Sequence, residues 1–338
     1  MMINKRYVAF FIISILLIAA LLWANITMGS SDISRTETLK ILFGQRDDAM
    51  QSNIIMSIRL PRAVAAVLLG GALALSGYLL QTFFGNPIVG PYVLGISSGA
   101  KLSVALTMIF FLSGGKEMGL NMMVFSAFIG ATIAMTFVLI ISVRVKSMSI
   151  LVVCGIMIGY ICAAVTDFVV TFADDSNIVN LHNWSMGSLS GINWEEIRVM
   201  TLIVMFCMAL CILIIKPMSA YRLGEAYAKS VGVNITVLRV ILILTSSLLA
   251  ACATAFAGPI SFVGIAVPHL VRTGLSTDDS HVMIPAAFFG GAIVTLFCDM
   301  IARTVFAPTE VSISSVTAVL LVPVVIVMMI KRNDRNRN

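Results

Sequence analysis

The sequence predicts an all-α polytopic membrane protein of about ten transmembrane helices, and three observations carry that reading. Of the 338 residues, 59% are hydrophobic and only 11% are charged, where a soluble domain carries about a quarter charged. Mean hydropathy is +1.02. Apolar runs recur along the whole chain, most of them near the ~20 residues a helix needs to cross a bilayer, with Lys and Arg gathered at alternate junctions between them.

The runs cover 7–24, 63–80, 92–112 (interrupted by Lys101), 122–143, 147–166, 199–215, 240–257, a short one around 265–271, 282–298 and 311–330. The first follows Lys5 and Arg6, as a secretion signal would. It is longer than an apolar signal core, and no small-x-small cleavage site follows Trp23, so it reads as a retained span. The eighth is too short to cross unaided. Lys5/Arg6, Arg144/Lys146, Lys216/Arg222/Lys229 and Lys331/Arg332/Arg335/Arg337 stand at every second junction. With an even number of spans, basic residues on one side place those junctions and both termini in the cytoplasm. Asp174, Asp175, Glu195 and Glu196 fall opposite, and the loop before Arg59 has mixed charge. The net charge of +6 thus records topology in a cytoplasmic membrane and implies no nucleic-acid partner. The chain reads as one membrane domain, 1–338.

Several functions are excluded by what the chain lacks. Its six cysteines all lie in apolar runs without a C-x-x-C pair, so no redox or zinc site is implied. Cys207 and Cys211 share a helical face near Met208; a soft-metal site and ordinary buried thiols both fit that spacing. His182, His269 and His281 are scattered. The one candidate phosphate loop, Gly114-Gly115-Lys116, is followed by Glu117, with Phe110 where its first glycine belongs. There is no Ser-His-Asp set. We therefore expect no catalytic residue, no metal and no cofactor on this chain; ATP and Mg, if used, belong to another polypeptide.

The most informative stretch is 59–100. Arg59-Leu60-Pro61-Arg62 opens a small-residue helix that breaks at Gly85-Asn86-Pro87 and Gly90-Pro91, then restarts in a Gly/Ser-rich segment ending at Gly99-Ala100. A plain anchor has no need of so much Gly, Ser, Asn and Pro. Irregular backbone at membrane depth is tolerated only inside protein or beside a water-filled cavity. Further on come Gly258-Pro259-Ile260-Ser261-Phe262-Val263-Gly264, Pro268-His269-Leu270-Val271-Arg272, Asp299, Ala302-Arg303 and Pro308-Thr309-Glu310. With Trp184–Leu189 and Val316-Thr317-Ala318, these resemble, in order, the elements of the FecCD-type permeases, membrane subunits of ABC importers for iron-siderophores, haem and cobalamin. Val311-Ser312, where the family usually has Leu-Pro, and Lys101, where it has a small residue, depart from the pattern. An interfacial aromatic anchor is an alternative account of Trp184.

The resemblance implies a cobalamin-permease-like fold, a second permease copy or close paralogue, two ATP-binding cassette ATPase subunits and an extracytoplasmic substrate-binding protein. It assigns the segment at about 217–236 to ATPase coupling, with Gly224, Glu225, Ala228 and Gly232 seating a short helix in the ATPase; Glu225 and Lys229 pair at i,i+4. It assigns Arg59 and Arg303 to docking of the binding protein. An interfacial anchor for Arg59 and a local pair with Asp299 for Arg303 are compatible alternatives. Asn86, Pro87, Ser147 and Ser149 would form a cytoplasmic gate, against the plainer reading of connecting loops. Lys101 either snorkels to the inner surface or faces the pathway and favours an anionic cargo. Gly95/Gly99 and Gly155/Gly159 allow close helix contacts without identifying the dimer face. Ferric siderophore is the expected cargo, haem or cobalamin the alternatives. A rival class, the ion-gradient-driven secondary transporter, would need acidic residues at mid-membrane; Asp167 and Asp299 both lie near span ends.

Overall fold

The computed structural model describes residues 5–337 apart from 30, 32, 45–47, 113–119, 146 and 174. The Gly114–Glu117 motif, Lys146 and Asp174 lie outside the described residues. Every regular element described is helical. α1 (Lys5–Thr27) leads to two short helices, α2 (Arg35–Leu42) and α3 (Ala49–Asn53). A π-helical turn over Ile54–Arg59 joins α3 to α4 (Leu60–Phe84), so helix runs unbroken over Ala49–Phe84. After a 3-10 turn at Pro91–Leu94 come α5 (Ile96–Leu112), α6 (Leu120–Arg144), α7 (Met148–Val170), α8 (Asp175–Ser185) and α9 (Trp194–Leu213). Then follow α10 (Ile215–Arg222), α11 (Glu225–Ser230), α12 (Ile235–Ala257), α13 (Val263–Leu275), α14 (Ser280–Thr304) and α15 (Ile313–Arg337).

Among the described residues, seven helices are long and apolar enough to cross a membrane, and three shorter apolar ones cover Ile96–Ile109, Val263–Leu275 and Ile313–Val327. The ten runs in the sequence correspond to these ten helices. α13, at 13 residues, reaches about 20 Å at 1.5 Å per residue, short of a ~30 Å hydrocarbon core.

α4 is the axis of the bundle, buried along nearly its whole length. Apolar side chains gain little by leaving lipid, so membrane helices associate through close packing at small residues. α4 follows that rule on two sides. Gly70 faces the backbone of Gly291 on α14, and Gly77 lies directly against the carbonyl of Gly264 on α13. Gly99 of α5 meets Gly130 of α6 in the same way. Gly95, at φ 75°, sits against Gly155 and Gly159 of α7. The glycine pairs marked in the sequence thus serve contacts within the chain. At the periphery, α1 exposes Ile12, Ile13 and Leu16, and α7 exposes Tyr160, Ile161 and Phe168. Exposed apolar area on this scale faces lipid or another subunit.

Two stretches of irregular backbone meet inside the bundle. The 85–95 break carries Gly90 and Pro91, and the 258–262 segment precedes α13. The Ile260 amide donates to the Tyr92 hydroxyl (3.1 Å), Pro91 touches Gly264, and Ile265 packs on Gly90. Phe262 turns the chain into α13 at φ 64°, a conformation that costs a bulky L-residue about 1–2 kcal/mol. Polar backbone lies buried in protein here, as membrane depth requires.

Candidate functional site

At one end of the bundle, where α1 and α14 finish and α4 begins, three arginines are drawn inward. The last turn of α1 leaves carbonyls without intrahelical donors. Arg59 supplies them: its guanidinium donates to the carbonyls of Ile26 (3.0 Å) and Thr27 (2.9 Å) and to the carbonyl and hydroxyl of Ser31 (2.6 and 2.9 Å). Arg303 donates to the Asn25 carbonyl (3.1 Å) and side-chain oxygen (2.7 Å), and its Nε lies 3.3 Å from Asp299. The side chain of Asn25 in turn donates to the Leu296 carbonyl (3.2 Å). Arg59 is 4% exposed and Arg303 8%. Both guanidiniums turn inward, because the end of α1 needs donors there. The local pair of Arg303 with Asp299 is present.

Arg62 was given no role from sequence, yet it is the centre of this cluster. Its Nε donates to both Asp299 oxygens (3.0 and 3.2 Å), and its Nη1 to both oxygens of Glu310 (2.9 and 3.0 Å). Asp299 is fully buried, while the Glu310 side chain is 45% exposed. The loop 305–312 is thereby fastened to α4. A signal was available: Arg62 borders a long uncharged run, and a charge so placed near membrane depth needs a partner.

At the opposite end stand the gate candidates. α4 stops at Gly85, in the left-handed conformation at φ 61°. The Asn86 side chain accepts from the Ile88 amide (3.1 Å), closing a local turn. Asn86 is exposed and Pro87 half-buried. Ser147 is the N-cap residue of α7, without a capping bond, and Ser149 begins its first turn; both are exposed. Deeper in the bundle, Val93 and Leu94 of the 3-10 turn lie on Gly155 of α7.

The coupling candidate is two helices where one was expected. α10 and α11 are separated by Leu223 and Gly224, and Gly224 has φ 123°, a value sequence does not announce. Within α11, Ala228 is buried and Lys229 pairs with Glu225 at 2.7 Å. That hydrogen bond holds the Glu225 carboxyl below the usual carboxylate range. Gly232, at φ 85°, follows the helix end. Leu223, Tyr227 and Val231 are exposed, so the element offers an apolar patch with an ion pair beside it. Between α10, the end of α4 and α13 lies a cavity of about 340 Å³, lined among others by Gln81, Thr82, Pro87, Arg222, Arg272 and Asp278. Asp278 pairs with Arg222 (3.1 Å) and Arg272 (2.6 Å).

Lys101 is half-buried on the second turn of α5 and makes no ion pair or hydrogen bond among the described residues. Cys207 and Cys211 are buried on α9. Trp184, in the last turn of α8, has its carbonyl against Gly258, and the Ser188 amide donates to the Ala257 carbonyl (2.8 Å). The element from Trp184 to Ser188 therefore closes over the segment that starts α13.

Comparison with known proteins completes this picture. The profile of the FecCD transport family matches residues 15–331. The chain belongs to the FecCD transport family. FecCD proteins are transport permeases, and relatives match over most of their length. The hemin transport system permease protein HmuU of Yersinia pestis is 31% identical over 334 residues, 98% of each chain. The vitamin B12 import system permease protein BtuC of Vibrio parahaemolyticus is 33% identical over 286 residues, 84% of this chain and 85% of its own. A solved inward-facing structure, from an ABC transporter assigned to the metal-chelate type, superposes with a TM-score of 0.82 at 27% identity, covering 94% of this chain and 97% of that one. The helical architecture is thus that of an ABC importer permease.

Proposed function

We propose that this FecCD permease is the membrane subunit of an ATP-driven importer for an iron chelate, a ferric siderophore in the first instance. The observation that carries the reading is the α10–α11 element. It stands outside the spans, with Ala228 seated, Gly232 as its stop and an exposed apolar patch, on a chain whose family and relatives are permeases. It would dock one of two ATP-binding cassette subunits, which bind ATP and Mg. A second copy or close paralogue would complete the pathway. Both termini and α10–α11 lie in the cytoplasm on this reading, in the cytoplasmic membrane, and 1–338 acts as one permease domain.

The end bearing Arg59, Arg62 and Arg303 then faces outward and receives the binding protein. With their guanidiniums below the surface, Arg59 and Arg303 would contribute through positive potential, which steers an acidic partner, and by holding the end of α1 in place. Haem and cobalamin remain alternative cargoes, since relatives named for both match at similar identity.

The test is purification in mild detergent from the native membrane, with co-purifying proteins identified by mass spectrometry. A stoichiometric partner carrying a phosphate-loop ATPase sequence is the expected result. A preparation free of ATPase that still catalyses gradient-driven uptake of a ferric siderophore in vesicles would overturn the proposal. Lys101→Ala separates two roles of that residue in the same vesicles. Unchanged uptake is expected where the ammonium snorkels to the inner surface; a clear fall would place it beside an anionic cargo.

A further inference from the structure

The coupling element touches the end of α4 through an aromatic ring. Tyr221, on the last turn of α10, donates its hydroxyl to the Phe83 carbonyl (3.2 Å). The two rings stack, with centroids 6.2 Å apart and planes 22° apart. Phe83 is buried, and it stands two residues before Gly85, where α4 gives way to the Asn86-Pro87 break. The Arg239 guanidinium, from the start of α12, lies over the same Phe83 ring, 5.7 Å from its centroid. Arg239 also donates Nη1 to the carbonyls of Ser142 (2.9 Å) and Val145 (3.2 Å). Ser142 lies in the last turn of α6 and Val145 just beyond it, and Ser147 is the N-cap of α7.

We propose that Phe83 is a shared pivot: movement of α10 reaches the 85–91 break through Tyr221, and the end of α6 at Ser142 and Val145, next to the start of α7, through Arg239, so that both sides of the constriction shift together. The inference rests on the coupling and gate roles proposed above and adds Tyr221, Phe83 and Arg239 as the positioning residues that link them.

Three physical points favour this route. The contacts go to backbone carbonyls at helix ends, which lack intrahelical donors and depend on Tyr221 and Arg239 for them. Burial pushes the Tyr221 phenol up, so it remains a donor at neutral pH. A planar guanidinium can lie over a ring while its Nη1 donates to two carbonyls; a lysine ammonium could donate to both carbonyls but has no plane to stack. The neighbouring Arg222–Asp278–Arg272 clasp is a weaker candidate. Asp278 is 55% exposed, and exposed pairs are worth about 0–1 kcal/mol.

The experiment uses the permease assembled with its ATPase subunits in lipid. Asn86→Cys and Ser149→Cys are introduced singly and labelled with a membrane-impermeant maleimide, with and without ATP plus vanadate. The chain with neither cysteine supplies the background from its native thiols. In the parent complex, nucleotide is expected to change labelling several-fold at both positions. Arg239→Gln is expected to abolish the response at Ser149→Cys while keeping it at Asn86→Cys, and Arg239→Lys to restore it only in part. Tyr221→Phe, which keeps the stack and loses the hydroxyl, is expected to weaken both responses. A split between the two positions is something a general loss of stability would not produce. Equal responses in parent and Arg239→Gln complexes at both positions would overturn the pivot. Absence of any nucleotide response in the parent complex would instead overturn the gate assignment on which it rests.

Discussion

Gly77→Ala is expected to remove most of the folded permease from the membrane fraction, while Gly274→Ala leaves it intact. Both substitutions add one methyl group to a helical glycine. At Gly274 the new carbon meets nothing within 4 Å, and alanine is the better helix former by about 1 kcal/mol. At Gly77 it would fall on the carbonyl of Gly264. That neighbour is backbone, so no rotamer change relieves the clash, and α4 and α13 have to separate. Separation loosens the buried axis of the bundle at the point where Pro91 also touches Gly264. Overpacking in soluble cores costs about 1–3 kcal/mol, occasionally more, and a membrane bundle has no strong hydrophobic drive to absorb it. Size-exclusion profiles and thermal unfolding in one detergent provide the comparison. A Gly77→Ala protein as monodisperse and as stable as Gly274→Ala would show that the α4–α13 contact is not the constraint it is taken to be.

How much of this was readable from the chain differs by level. Span positions were legible, because hydropathy over ~20 residues is the quantity the bilayer selects; each expected run overlaps an apolar helix. The short eighth run is α13. The helices α2 and α3 carried readable caps in Ser34 and Asp48, which a search for apolar runs passes over. The division between α10 and α11 depends on the φ of Gly224 and has no compositional trace. For the arginines, the sequence revealed charge but not direction. Arg59 looked available for a partner because the carbonyls it serves belong to α1, 32–33 residues away. The pivot at Phe83 was illegible for the same reason: it joins positions 83, 142, 145, 221 and 239, which only the fold brings together.

Asp299→Ala is expected to be the most damaging of the charge substitutions, and Glu310→Ala one of the mildest, although both carboxylates bind Arg62. Asp299 is fully buried between Arg62 and Arg303. Its removal leaves two guanidiniums facing each other with water excluded, and stripping one partner from a buried pair costs about 3–5 kcal/mol. Arg62 retains Glu310, and Arg303 retains Asn25, so neither arginine is left without a partner; what is lost is the charge that lets both approach one point. Glu310 holds Arg62 from the half-exposed side, where water can take its place, and the loss should resemble that of a surface pair, about 0–1 kcal/mol. Asp299→Asn should fall between them, since the amide keeps an acceptor and loses the charge. Thermal unfolding of the three proteins in the same detergent tests the order. If Asp299→Ala unfolds no earlier than Glu310→Ala, the cluster does not organise this end of the bundle. In that case the inward turn of Arg59 and Arg303 would rest on the end of α1 alone.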